Sequence, residues 1–261
     1  TRLEHLPMTL FRKLALLAAA VFAIIASQFH EITGLGVSIA QFSADADTTL
    51  RAAGYAFAVW GLLYLGMLAF AVYHATPAGD RSILARRTAW PAAGAFAACG
   101  LWVVVASLQL YALTLAIIVV AAGVLVARLT GLAGADARAA DGKDEWFVLW
   151  PLAALAGWLT VASGLNAVSV AERYHLLADA TPTVVAGVLA VVLIGLSLFV
   201  GLTIRSVSYP LLIAWGLVAV AVAERPTQPM VASIAVASAL ICLAGGLILR
   251  RRPPPSLRGA S

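Results

Sequence analysis

The sequence predicts an all-α polytopic membrane protein with about eight transmembrane helices, and two observations predict it. Of the 261 residues, 62% are hydrophobic and only 11% are charged, whereas a soluble domain needs about a quarter of its residues charged to solvate its surface. The chain also divides into about eight apolar stretches separated by charges or by Pro and Gly. Each is close to the roughly 20 residues that a helix needs to cross a hydrocarbon core.

The first stretch, residues 11 to 29, starts at the basic pair Arg12 and Lys13. No small-x-small cleavage site follows it, so it reads as a retained helix rather than a signal peptide. A long loop from about His30 to Ala52 comes next, with Gly34, Gly36 and an acidic patch at Asp45 and Asp47. Loops of this length in compact domains are often lids. The second stretch covers 53 to 74. The third and fourth, 89 to 108 and 110 to 129, are joined by almost nothing around Gln109 and Leu110 and predict a tight helical hairpin. The fifth covers 147 to 169. The last three, 182 to 203, 207 to 223 and 230 to 249, are tied by short connections around Arg205 and from Glu224 to Pro229. Three parts result: a five-helix block over 1–169, a three-helix extension over 170–249, and a basic, Pro-rich tail over 250–261.

Basic residues are retained on the cytoplasmic side of a membrane. With the N-terminus inside, fourteen of the seventeen Lys and Arg residues fall on inner segments, leaving Arg51, Arg173 and Arg225 outside. The bias predicts an even number of spans in the cell inner (plasma) membrane, with both termini cytoplasmic. The net charge of +5 is then a topology signal, with the Arg250–Arg252 run as a flank against anionic lipid and no nucleic-acid partner implied. No Asp, Glu, Lys or Arg lies near the middle of a span, which argues against ion pumps, ion-coupled transporters and voltage sensors. Cys99 and Cys242 sit in apolar runs as small hydrophobes. His30 and His175 share one rim but stand outside the spans, so no metal site is expected.

Two stripes stand out against this background. Phe57, Trp60 and Tyr64 fall at i, i+3 and i+7, and Trp158, Ala162 and Asn166 at i, i+4 and i+8, so each set lines one helix face. At about 1.5 Å of rise per residue, the first set lies roughly 6, 10 and 16 Å below the outer boundary and the second roughly 16, 10 and 4 to 5 Å. Trp102 in the third span comes out near 9 Å by the same measure. The competing explanations are lipid-facing aromatic anchors for the Trp and Tyr residues, and packing for Gly61, Gly157, Ala162 and Gly164. An indole about 10 Å deep is a poor headgroup anchor, whereas Trp90, Trp146 and Trp150 suit an interfacial belt. Asn166 also suits an interhelical hydrogen bond.

The two stripes resemble helices of the tryptophan-rich sensory proteins, the TspO/MBR or translocator-protein family. Phe57, Trp60, Leu63 and Tyr64 match the aromatic pattern of its second helix. Trp158, Ala162 and Asn166 match its fifth, although Pro151 lies seven residues before the Trp rather than four. Trp102 stands where the third helix carries a Trp, without the Asn that precedes it there. The resemblance covers about 11 to 169 and makes the chain an extended, divergent relative with three additional C-terminal helices. It implies a five-helix bundle with an internal pocket under the first loop, and a tetrapyrrole or sterol-like lipid as ligand.

The expected function is therefore that of a membrane binding protein, acting as sensor, carrier or scavenger for a planar hydrophobic molecule. Its expected ligand-binding residues are Phe57, Trp60, Tyr64, Trp102, Trp158, Ala162 and Asn166. The alternative is a structural or assembly subunit of a photosynthetic or respiratory complex, docked through small-residue faces at Gly195, Gly201, Gly245 and Gly246, with a homodimer also open. The interior offers hydroxyls and one Asn but no acid, base or metal ligand, which favours binding over catalysis.

Overall fold

A computed structural model describes residues 5–39, 41–42, 50–132 and 142–251. Eight long helices carry the fold: α1 (His5–Ala26), α2 (Val59–Ala75), α3 (Ile83–Ser107), α4 (Tyr111–Gly131), α5 (Trp150–Arg173), α6 (Pro182–Ile204), α7 (Ser208–Glu224) and α8 (Pro229–Arg251). Among the described residues there is no strand. A 3₁₀ turn, Gly54–Ala58, leads into α2, and a π-turn, Glu145–Leu149, leads into α5.

Several helices outrun their apolar stretches. Ser82 caps α3 by accepting the Ala85 N–H at 2.9 Å, which starts that helix well before residue 89 and puts Arg86 and Arg87 in its first turns. Thr181 accepts the Val184 N–H at the start of α6, where Pro182 supplies a preset φ. The α3–α4 hairpin turns on residues 108–110, with Gln109 in the left-handed region at φ 59°.

Among the described residues six helices, counting the turns that lead into α2 and α5, are long and apolar enough to cross a membrane. The other two, α7 and α1, fall outside that count. Apolar α7 has only 17 residues, about 25 Å of rise against a hydrocarbon core of about 30 Å. Most of its side chains are buried. Helix α1 carries Arg12 and Lys13 near its start and packs along α2 and α3. The molecule is a polytopic helical membrane protein.

Helix α5 is central and touches α2, α4, α6 and α7. One apolar core runs from Leu16 of α1 through Phe70, Phe96, Leu125 and Leu155 to Leu193, Ile213 and Cys242 of α8. The first five helices and the last three thus share a core, and small residues bring them together. A Cβ on Gly157 would strike the Tyr209 backbone, and one on Gly216 would strike the Val161 side chain. Gly245 and Gly246 face Leu198 and Pro210 of the same chain, so these two expected docking glycines are used in internal packing. Gly195, by contrast, meets open space.

Chain direction alternates strictly, so α1, α3, α5 and α7 end, and α2, α4, α6 and α8 begin, at one end of the bundle. The described residues of the connection between α1 and α2 lie there, and we call it the loop end. At the opposite end Lys13 pairs with Asp80 at 2.6 Å, and Arg12 Nε donates to His74 Nε2 at 3.1 Å.

Candidate functional site

The residues that precede α2 form a strap across the loop end, and α7 holds it. Glu224, at the end of α7, accepts the Arg51 backbone N–H at 3.1 Å, and its Oε1 stands 4.0 Å from Arg51 Nε. The Ala53 N–H donates to the Ala219 carbonyl at 3.0 Å. Trp215 Nε1 donates to the Ala56 carbonyl at 3.1 Å, and its ring meets Tyr55 edge-on at 5.5 Å. A second tether lies on α3, where the Val37 N–H donates to the Ser107 carbonyl at 2.9 Å. Gly36, at φ 68°, makes that approach, and a Cβ there would collide with the Ser107 backbone.

Beneath the strap, between α2, α3, α4 and α5, lies a cavity of about 90 Å³. Six of the seven expected residues line it: Phe57, Trp60, Trp102, Trp158, Ala162 and Asn166. Tyr64 does not. It lies one turn further along α2 and stacks on the back of Trp60, with centroids 5.4 Å apart and planes 25° apart. Trp158 meets Phe57 and Trp60 edge-on, at 6.4 and 6.2 Å. Such T-shaped contacts match the quadrupoles of the rings.

The opposite wall uses residues that the two stripes did not include. Phe42 stacks on Tyr111 at 5.1 Å and meets Trp102 edge-on at 6.1 Å. Arg173 covers the Tyr111 ring at 3.9 Å, a cation–π contact at the rim. Ile39, Leu50, Arg51 and Ala52 bring the loop and strap to the lining, and Ile118 comes from α4. Val161, Leu165 and Ser169 extend the α5 stripe to i+3, i+7 and i+11 from Trp158. Asp45 and Asp47, expected in the lid, lie outside the described residues.

The polar groups of the site divide into used and unused. Asn166 shares its amide with Thr114 Oγ1 at 3.3 Å and so ties α5 to α4, and Ser169 donates to the Leu165 carbonyl at 3.1 Å. Trp102 and Trp158 are only 9% and 4% exposed, yet neither indole nitrogen has an acceptor among the described residues. His30 stands apart at the rim and donates from Nδ1 to the Leu35 carbonyl at 3.1 Å.

The model of the TSPO-like protein family matches residues 11–248. The chain belongs to that family. The matched segment does not stop at residue 169 and takes in α6, α7 and most of α8 as well. Membership places the aromatic cavity in a TSPO-like, multi-pass membrane protein. No curated protein and no solved structure matched the chain.

A larger recess of about 980 Å³ opens between α2, α5 and α7 toward the other end, lined by Leu62, Gly66, Trp146, Trp150 and Leu211 among others. It is an open, apolar furrow on the side of the bundle. Trp146 and Trp150 stack there at 5.3 Å, and Trp90 and Trp146 are exposed.

Proposed function

We propose that this TSPO-like protein binds a planar hydrophobic ligand, of the tetrapyrrole or sterol-like class, between the aromatic faces of α2, α3 and α5. The observation that carries the proposal is the convergence of Phe57, Trp60, Trp102 and Trp158, from three helices, on one cavity beneath a tethered loop. Large rings with a few polar tips suit a flat apolar molecule, because burial and stacking supply most of its affinity. The basic-residue bias supports an orientation with both termini cytoplasmic and the loop end at the outer face of the plasma membrane. A ligand of this class then enters from that face or from the outer leaflet and is sensed, carried or sequestered.

Size adds a condition. Sites for drug-sized ligands enclose roughly 300–1,000 Å³, and this cavity has about 90 Å³. Binding therefore requires the lining to yield. Phe42 is the residue to move, because it is the loop's aromatic contribution to the lining and sits against Tyr111 and Trp102. The ligand's ring takes over those contacts when Phe42 leaves.

The test is a titration of the purified protein with protoporphyrin IX while Trp fluorescence is followed. Saturable quenching is expected in the wild type, and Trp60→Ala and Trp158→Ala should each weaken it by at least about tenfold, the equivalent of one lost stacking contact. Quenching no stronger in the wild type than in these variants would reject the site. Phe42→Ala should bind more tightly than the wild type, since it removes the side chain that has to be displaced.

A further inference from the structure

The lining of the aromatic cavity is one-sided in its polar chemistry. Among the described residues its one formally charged member is Arg51, and no described Asp or Glu lines it. Glu224 holds Arg51 through the backbone N–H at 3.1 Å and stands 4.0 Å from Nε, while the terminal guanidinium nitrogens make no hydrogen bond or ion pair among the described residues. The Arg51 side chain is 47% exposed, so these donors are open to a partner at the mouth. Deeper in, Trp102 and Trp158 are more than nine-tenths buried, with indole N–H groups that lack an acceptor among the described residues. Their edge-on ring neighbours offer at most a weak N–H···π contact. Asn166 is spent on Thr114 and the Ser169 hydroxyl on Leu165. A second cation, Arg173, stands behind Tyr111 at the same rim.

We propose that the cavity selects an amphipathic acid: a flat apolar body that carries at least one carboxylate, which Arg51 pairs with at the mouth, and further acceptor atoms that the Trp102 and Trp158 N–H groups reach. The inference rests on the binding reading above and narrows it, because a neutral sterol-like lipid leaves the terminal nitrogens of Arg51, which Glu224 does not reach, without an acceptor. Buried donors that stay unpaired in the free protein gain a partner only when an acceptor arrives. A guanidinium and a carboxylate match in charge and in planar, two-pronged geometry. Arg51 thus sets which apolar molecules are kept, while the aromatic walls hold any flat body.

The experiment compares protoporphyrin IX with its dimethyl ester, which keeps the ring and caps both acids, in neutral detergent. The readout is the ratio of the two affinities, because a variant changes this ratio only through the protein and not through partition into micelles. In the wild type the acid should bind roughly ten- to hundredfold more tightly than the ester, the range of a charge-assisted hydrogen-bonded contact. Arg51→Gln should collapse that ratio toward one and leave ester binding in place, and Arg51→Lys should restore part of it. If Arg51→Gln fails to fold, Arg51→Lys and the salt dependence of the wild-type ratio decide. Between about 0.01 and 1 M salt the screening length falls from about 30 to about 3 Å, and the ratio should fall with it. A ratio that neither Arg51→Gln nor salt alters overturns the inference. Ester and acid bound equally well by the wild type also overturn it but leave the binding reading standing, and a wild type that binds neither removes both.

Discussion

Asn166 and Trp158 sit two turns apart on α5 and line the same cavity, but their polar atoms are in opposite states. The Asn166 amide is engaged with Thr114, which makes it a fastening between helices. Asn166→Leu should therefore lower the unfolding free energy by roughly 0.6–1.7 kcal/mol, the range measured for interhelical hydrogen bonds in membranes, and a double-mutant cycle with Thr114→Val should show coupling. The Trp158 N–H is buried and unpaired. In Trp158→Phe the space left by the smaller ring and the loss of an orphaned donor offset each other to within about 1 kcal/mol. Thermal unfolding should barely move while acidic-ligand affinity falls; an equal loss of both would make Trp158 a packing residue only. Helical spacing exposed both residues, since a stripe can be read from one helix alone. It did not expose Phe42, Tyr111 or Arg51, which join the site through the folding of a loop, a hairpin and a strap. The signal at hand was modest: Phe42 as an aromatic in a polar loop, and the α5 stripe continued through Val161, Leu165 and Ser169.

At the level of elements, spans were legible because apolar length and helix length coincide in a bilayer. Their ends were less so, since a cap such as Ser82 lies outside the hydrophobic run and extends its helix past it. The partner of each helix face was not legible, because lipid and protein neighbours select the same apolar side chains. Gly157 illustrates this. In sequence it is one small residue among many, and in the fold it is where α5 lies against the backbone of α7 at Tyr209. Tyr209 is fully buried, and its hydroxyl is 3.0 Å from Thr160 Oγ1 one turn beyond Gly157. Gly157→Ala thus meets backbone rather than a flexible side chain, and α7 has to shift. We expect a loss of about 1–3 kcal/mol, typical of overpacking. Because α7 carries Glu224, Ala219 and Trp215, the strap should loosen with it. Hydrogen exchange should report this as faster exchange at the Arg51 and Ala53 amides than in the wild type; unchanged exchange there would separate the strap from α7.

For the whole molecule, the question is what the three C-terminal helices do for a site built by the first five. Sequence pattern alone divides the chain near residue 169, because the aromatic stripes end there and the remaining spans carry small and branched residues. The packing gives α6–α8 a definite role at the cavity without lending it a lining side chain. Arg51 is oriented by Glu224, Ala53 and Ala56 are bonded to α7, and α8 and α6 enclose α7 on its other side. A chain cut after Arg173 loses all three strap bonds and exposes the faces of α5 that carry Gly157 and Val161. Each lost buried hydrogen bond costs about 1–3 kcal/mol when its partner is left unpaired, and folded proteins are stable by only about 5–15 kcal/mol. The 1–173 fragment is therefore predicted to aggregate in detergent, or to stay monodisperse without discriminating acid from ester porphyrin. Supplying residues 174–261 as a separate chain should restore both properties if the two parts dock as they do in the intact protein. A fragment that is monodisperse and selects the acid by itself would show that the five-helix block sets its own rim, and the strap would then have to act on something other than ligand selection.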